Sequence, residues 1–131
     1  MDYYFSKKPA AVLTLRKVHR LQKDYGYAVV EEGEALKVKL VVKKPDTPPS
    51  DLAIMPVYVF DAEIFEALKQ IKPRVGNEVQ LTDAIQKLME WGRPVGAIQL
   101  EDDEIRPDVG TPGTYSEALK LSYELSLKGL L

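Results

Sequence analysis

Nine consecutive residues, Leu52 to Phe60 (LAIMPVYVF), carry no charge and are nearly all apolar. Such a run fits a strand covered on both faces. Pro56 inside it removes one ladder donor, so the strand is expected to reach an edge or a bulge at that point. Any fold of this chain has to place this segment between two layers.

The neighbouring segments supply the layers. Ala10 to Val18 (AAVLTLRKV) begins apolar and then alternates, as a largely buried strand does. Tyr27 to Glu31 and Leu36 to Val42 are two β-prone runs joined through Glu32-Gly33-Glu34-Ala35, a hairpin signal. In the second run Leu36, Val38, Leu40 and Val42 share one face, and Lys37, Lys39 and Lys43 take the other, which predicts one wet side. Lys44 to Asp51 is a short proline-rich loop between sheet segments. After the apolar strand, Asp61 is placed to cap a helix whose expected core stripe is Ile64, Phe65, Leu68 and Ile71, ended by Lys72-Pro73. Thr82-Asp83 opens a second helix with Ile85, Leu88 and Met89 inward and Gly92 as its stop. Val95 to Leu100 is a further strand. Thr111-Pro112 starts a last helix, whose most regular apolar row is Ala118, Leu121 and Leu125. The fold class is therefore α/β, a mixed β-sheet with an inserted hairpin and flanking helices. With 131 residues, 45% of them hydrophobic, residues 1–131 are expected to form a single domain.

Composition excludes several classes of function. The formal net charge is −2, from 18 basic and 20 acidic residues without a basic stripe, so nucleic acid is not an expected partner. There is no cysteine, hence no disulfide and no cysteine-rich zinc site. No apolar stretch approaches the roughly 20 residues needed to span a bilayer, and the first eight residues lack the pattern of a signal peptide. The expected location is the cytoplasm. The P-loop, GxGxxG, GxSxG and HExxH motifs are all missing. His19, the single histidine, falls in a polar connection and reads as a solvated surface side chain.

Four clusters remain: Tyr25-Gly26, Lys43-Lys44-Pro45, the segment Gly76 to Ile85 (GNEVQLTDAI), and Asp108-Val109-Gly110-Thr111-Pro112. Each alone has an ordinary structural reading as a turn, a solvated strand end or a helix start. In order along the chain, together with Ser50 to Phe60, they resemble the nucleoside-diphosphate-sugar pyrophosphorylases, the glucose-1-phosphate uridylyl- and thymidylyltransferases. That family carries YG before a hairpin, then EKP, an SNxAxxGxYxF strand, a GxExQLTDAI helix start and a WxDVGTPxxYxEA ending. The resemblance covers nearly the whole chain and implies a partial Rossmann-like nucleotidyltransferase fold, specifically the C-terminal, sugar-phosphate-binding half.

The resemblance also implies site residues. Lys44 stands at the EKP lysine that serves the sugar phosphate, and Gly26 at the glycine whose backbone meets the sugar. Glu78 takes the matching acidic position, and Arg74 is within reach of a phosphate although offset from the family's arginine. Asp108 matches a magnesium-binding aspartate. Met1-Asp2-Tyr3-Tyr4-Phe5 echoes the family's GDNxF, which would make Asp2 the second Mg²⁺ ligand; a chance match is the alternative. Three departures fall on the sugar subsite: Lys43 replaces a glutamate that accepts sugar hydroxyls, Asp51 an asparagine, and Pro56 a glycine. A cation cannot accept a hydrogen bond, so the first contact is lost or inverted.

The family's glycine-rich LxGGxGTRLxPLT loop, which wraps the nucleoside triphosphate, has no counterpart in these residues. The expectation is a truncated nucleotidylyltransferase-like protein, inactive alone, acting as a sugar-phosphate-binding or assembly module. The alternative is the working half of a split glucose-1-phosphate nucleotidylyltransferase that pairs with a separate N-terminal-half chain. A homodimer is expected as well, through strand edges at Ala10 to Leu15 and Leu52 to Phe60 that a missing half would leave bare, with the tail Leu125 to Leu131 as further apolar surface; a compact monomer is the alternative.

Overall fold

The computed structural model describes residues 2–19, 25–33, 35–73, 78–102, 104–107 and 109–131, apart from the Tyr3 side chain. Two compact units result, residues 1–100 and residues 101–131.

The first unit holds α1 (Asp2–Lys7), β1 (Ala11–Lys17), β2 (Gly26–Glu31), β3 (Leu36–Lys43), β4 (Leu52–Phe60), α2 (Glu63–Lys69), α3 (Leu81–Glu90) and β5 (Val95–Gln99). The five strands close into a ring in the order β1-β4-β2-β3-β5. Only β1 and β5 run parallel; the other neighbours are antiparallel, so the sheet is mixed as expected. Two seams of the ring are narrow. β2 meets β4 where Tyr27 lies opposite Ala53, and β3 meets β5 at Leu36–Ala97 and Lys37–Gly96. The Ser50 hydroxyl reinforces the first seam by donating to the Ala28 carbonyl at 2.6 Å.

β4 behaves as its sequence demands. Ala53, Ile54 and Met55 are buried in succession, Ile54 in the main core and its two neighbours in a second cluster with Tyr27. The strand is therefore covered on both sides there. Its pairing with β1 runs in register from Lys17–Leu52 to Thr14–Met55, then jumps to Leu13–Tyr58, which leaves Pro56 and Val57 bulged out and exposed. The missing N–H of Pro56 thus falls where no ladder bond is required.

The structure corrects four expectations. β1 is no bare edge: it lies between β4 and β5, with Ala11, Leu13 and Leu15 wholly inaccessible. Self-association through a β1 edge therefore loses its basis, whereas β4 meets β2 only at Ala53 and, among the described residues, has no ladder partner on that side beyond it. In β3 the two-residue alternation fails midway. Val29 pairs with Leu40 but Val30 pairs with Val38, so Lys39 is an extra, bulged residue. Beyond the bulge the faces exchange, which buries Val41 and leaves Leu40 38% exposed. The bulged Lys39 reaches back to Glu31 at 2.6 Å and, chiefly through that hydrogen bond, holds the carboxyl below its usual range. In α2, Ile64 and Ala67 are buried with Leu68 and Ile71 packed against the core, whereas Phe65 is 65% exposed. One residue from Ile64 is about 100° around the helix, outside that stripe. Finally, α3 starts at Leu81, one residue before Thr82.

Asp61 does serve the start of α2, accepting from the Glu63 amide at 2.9 Å. Arg93, just ahead of β5, bonds Glu63 at 2.6 Å and Asp61 at 3.3 Å and so ties β5 to α2. Ile85 and Leu88 of α3 enter the same core as Leu13, Leu15 and Ile54, and Gly92 ends that region with a left-handed φ of 74°.

The second unit is built on α4 (Pro112–Leu127). Thr111 caps it reciprocally with Thr114: the Thr114 amide donates to the Thr111 hydroxyl at 3.2 Å, and the Thr111 amide donates to the Thr114 hydroxyl at 3.0 Å. Ala118, Leu121 and Leu125 are its partly buried row, while Tyr115, Leu119, Tyr123 and Leu127 are exposed. No helix among the described residues is long and apolar enough to cross a membrane.

Candidate functional site

The first unit contains a cleft of about 640 Å³ between the end of β3 and the start of α3. Lys43 and Lys44 line its β3 side, and Glu78, Gln80, Asp83 and Gln86 line its α3 side. A second pocket of about 130 Å³ adjoins it, walled by Gly26, Ile54, Tyr58, Leu81 and Thr82, with Lys43 common to both.

The local sequence explains the shape. Gly26 opens β2 opposite Lys43, the last residue of β3. A Cβ at Gly26 would sit in ordinary van der Waals contact with the Ile54 side chain at 3.4 Å and the Val42 carbonyl at 3.5 Å. At Lys44 the chain leaves the sheet through a left-handed φ of 46°, unusual for a residue with a Cβ. Its amide donates to the Tyr25 carbonyl at 3.1 Å, which fixes that turn against Tyr25-Gly26.

The start of α3 is built unusually. Gln80 is the N-cap, yet its side chain caps nothing. Its Oε1 instead accepts from the Lys43 ammonium, which bridges the two sides of the cleft. The first-turn amides of a helix lack partners within the helix, and their combined dipole favours negative charge. Two buried acceptors also line these walls without a partner among the described residues: Thr82 Oγ1 beside the small pocket and Gln86 Oε1 beside the larger cleft. Buried polar atoms ordinarily find a protein or water partner.

Burial pushes the Tyr58 phenol above its ordinary value of 10.0. The neutral form is thus favoured in the fold, and its contribution is present below the unfolded pKa and lost as pH rises through the folded one. An alkaline titration followed by tyrosinate absorbance is expected to show a late component that Tyr58→Phe removes. An unchanged curve for that variant would contradict the burial.

Among the residues singled out in the sequence, Lys44 and Glu78 line the one cleft, and Gly26 lines the pocket beside it. Arg74 and Asp108 lie outside the described residues. Asp2 is exposed in the first turn of α1 and lines neither pocket. No group of three or more acidic or histidine side chains that would hold a metal ion comes together among the described residues. The residues on view therefore do not by themselves fit a metal centre. Gln80 had no role assigned from sequence, although it sits inside the quoted GxExQLTDAI element; the signal was the amide at the N-cap position.

Comparison with known proteins places the chain. A family model described as nucleotidyl transferase matches residues 3–124. A low-salt glycan biosynthesis nucleotidyltransferase of Haloferax volcanii is 34% identical over 114 residues, covering 87% of this chain and 30% of its own length. A UTP–glucose-1-phosphate uridylyltransferase of Bacillus subtilis is 40% identical over 99 residues, 71% of this chain and 33% of that protein. The structure of a UDP-glucose pyrophosphorylase complexed with UDP-glucose superposes with a TM-score of 0.82 at 29% identity, covering 94% of this chain and 47% of that one. The chain thus spans about a third of the length of these curated relatives and about half of that solved structure.

Proposed function

Because this chain belongs to the nucleotidyl transferase family, we propose that it is the sugar-phosphate-binding portion of a sugar-1-phosphate nucleotidylyltransferase, with the triphosphate cradle supplied by residues outside these 131. One observation carries the reading: Lys44 and Glu78, matched from separate motifs, line a single cleft, with Gly26 in the pocket that adjoins it. The relatives' names couple UTP to glucose 1-phosphate.

The roles follow from chemistry. The ligand's phosphate lies against Lys44, whose ammonium offsets its charge. The sugar ring enters beside Gly26, where the absence of a Cβ leaves room, and its hydroxyls donate to Glu78. In the complete reaction an oxygen of the sugar phosphate attacks the α-phosphorus of a nucleoside triphosphate, and the bond to pyrophosphate breaks. Positioning and charge neutralisation do most of that work. Nucleotidyltransferases of this family typically use a divalent metal; the cleft is assigned none of that chemistry.

Lys44→Ala tests the assignment. Glucose 1-phosphate binding, titrated calorimetrically, is expected to weaken by about 1.5–3 kcal/mol, the range for a hydrogen bond to a charged group. Alanine keeps the Cβ, so the left-handed backbone stays as strained as before and the loss reports the ammonium. Equal affinity for both proteins would remove the reading. A second reading, a working half that pairs with a separate chain, is supported by the exposed row Tyr115, Leu119, Tyr123 and Leu127 on α4. Nucleotide-sugar synthesis that appears only when a chain carrying GGxGTR is added would select it.

A further inference from the structure

Successive residues of a strand face opposite sides, so two adjacent lysines ordinarily diverge. Here Leu40 to Lys44 all border the cleft, and both lysines lie on its β3 side. The left-handed φ at Lys44 falls between them and breaks the alternation. A residue with a Cβ adopts that conformation at a cost.

Charge in the cleft is divided by wall. The β3 side presents two ammonium groups, and the facing side presents Glu78, Gln80, Asp83 and Gln86, all rich in acceptors. The bond that Lys43 makes is to the neutral amide of Gln80, which occupies one of three ammonium donors and offsets none of the charge. Lys43 also stands where the large cleft meets the small pocket. A ligand seated with its 1-phosphate on Lys44 and its ring beside Gly26 passes directly by it.

We propose that the sugar 1-phosphate taken by this cleft carries a second anionic group on the sugar, a carboxylate or a second phosphate, and that Lys43 is the specificity-determining residue that holds it. The inference rests on the sugar-phosphate reading above. Hydroxyls of such a ligand face the acceptor wall while both anions face the lysine wall, which matches the division of charge. A neutral hexose offers Lys43 only hydroxyl oxygens, whereas an anion on the sugar gives it a charge-assisted hydrogen bond.

The test titrates the whole 131-residue chain with three probes: glucose 1-phosphate, glucuronic acid 1-phosphate and glucose 1,6-bisphosphate. At least one doubly anionic probe is expected to bind tenfold or more tightly than glucose 1-phosphate, and the tighter of the two identifies the second anion as carboxylate or phosphate. Lys43→Gln is expected to bring that ratio close to one. Raising the salt concentration should reduce the preference in the wild type, as screening requires. Equal affinities for all three probes would overturn the inference and leave the sugar-phosphate reading standing. A preference that survives in Lys43→Gln would overturn the role of Lys43. Absence of binding by every probe would overturn both readings together. Should the variant fail to fold, the wild-type ratio still decides.

Discussion

Leu13→Ala is expected to destabilise the chain by about 2–5 kcal/mol, the range for truncating a buried leucine. Leu13 is wholly inaccessible in β1, opposite Tyr58 of β4 on one side and Ala97 of β5 on the other. Set against the roughly 5–15 kcal/mol of a typical domain, the loss is a large fraction of total stability. Urea denaturation measures it as a lower midpoint, by about 1 M or more at a slope of 1–3 kcal/mol per molar. Val57→Ala, in the exposed bulge, is the control and should stay within about 0.5 kcal/mol. A loss below about 1 kcal/mol for Leu13→Ala would mean that Leu13 is not enclosed between β4 and β5.

The purified 131-residue chain is expected to form no nucleotide sugar from glucose 1-phosphate and UTP or dTTP with Mg²⁺. The physical reason is the triphosphate. Its charge needs a cradle of closely approaching backbone amides, which glycine-rich loops provide. The eight glycines of this chain include no adjacent pair. Enzymes of this kind owe rate factors of at least about a millionfold to positioning and electrostatics, so loss of the cradle leaves nothing to measure above background. Pyrophosphate release, or chromatography of the products, reads the result. Turnover by this chain alone would show that the cleft binds the nucleotide as well as the sugar phosphate.

Much of the architecture was legible because it depends on local pattern. The apolar run at Leu52 to Phe60, the alternation through Leu36 to Val38 and the Thr111-Pro112 start each gave an element close to its observed bounds. Pro56 announced a bulge because it lacks a donor, a property visible in one letter. Lys39 announced nothing: a bulge there needs no special residue, and it is set by how Val29 and Val30 pair across the hairpin. Ring closure was equally hidden, since periodicity states which face is buried and says nothing about which strands meet. α1 escaped because Asp2 to Lys7 is too short for a helical period to emerge. The link from Lys43 to Gln80 spans 37 positions and depends on where α3 docks. Lys44, Glu78 and Gly26 were found through their motifs, and only the fold brought them to adjoining cavities.

The two narrow seams divide the ring mechanically. β1, β4 and β5 form one stiff ribbon with long ladders, and the β2–β3 hairpin forms another, joined to it at Tyr27–Ala53 and at Leu36–Ala97 and Lys37–Gly96. Few ladder bonds resist bending at those corners, so the hairpin is expected to flex there as a flap, within what the shared core of Ala28, Val38 and Val41 allows. Gly26, Lys43 and Lys44 ride on the flap, while Ile54 and Tyr58 stay with the ribbon. Lys43 already ties the hairpin to α3 through Gln80, so a ligand that adds to that tie is expected to slow amide hydrogen exchange at the two corners.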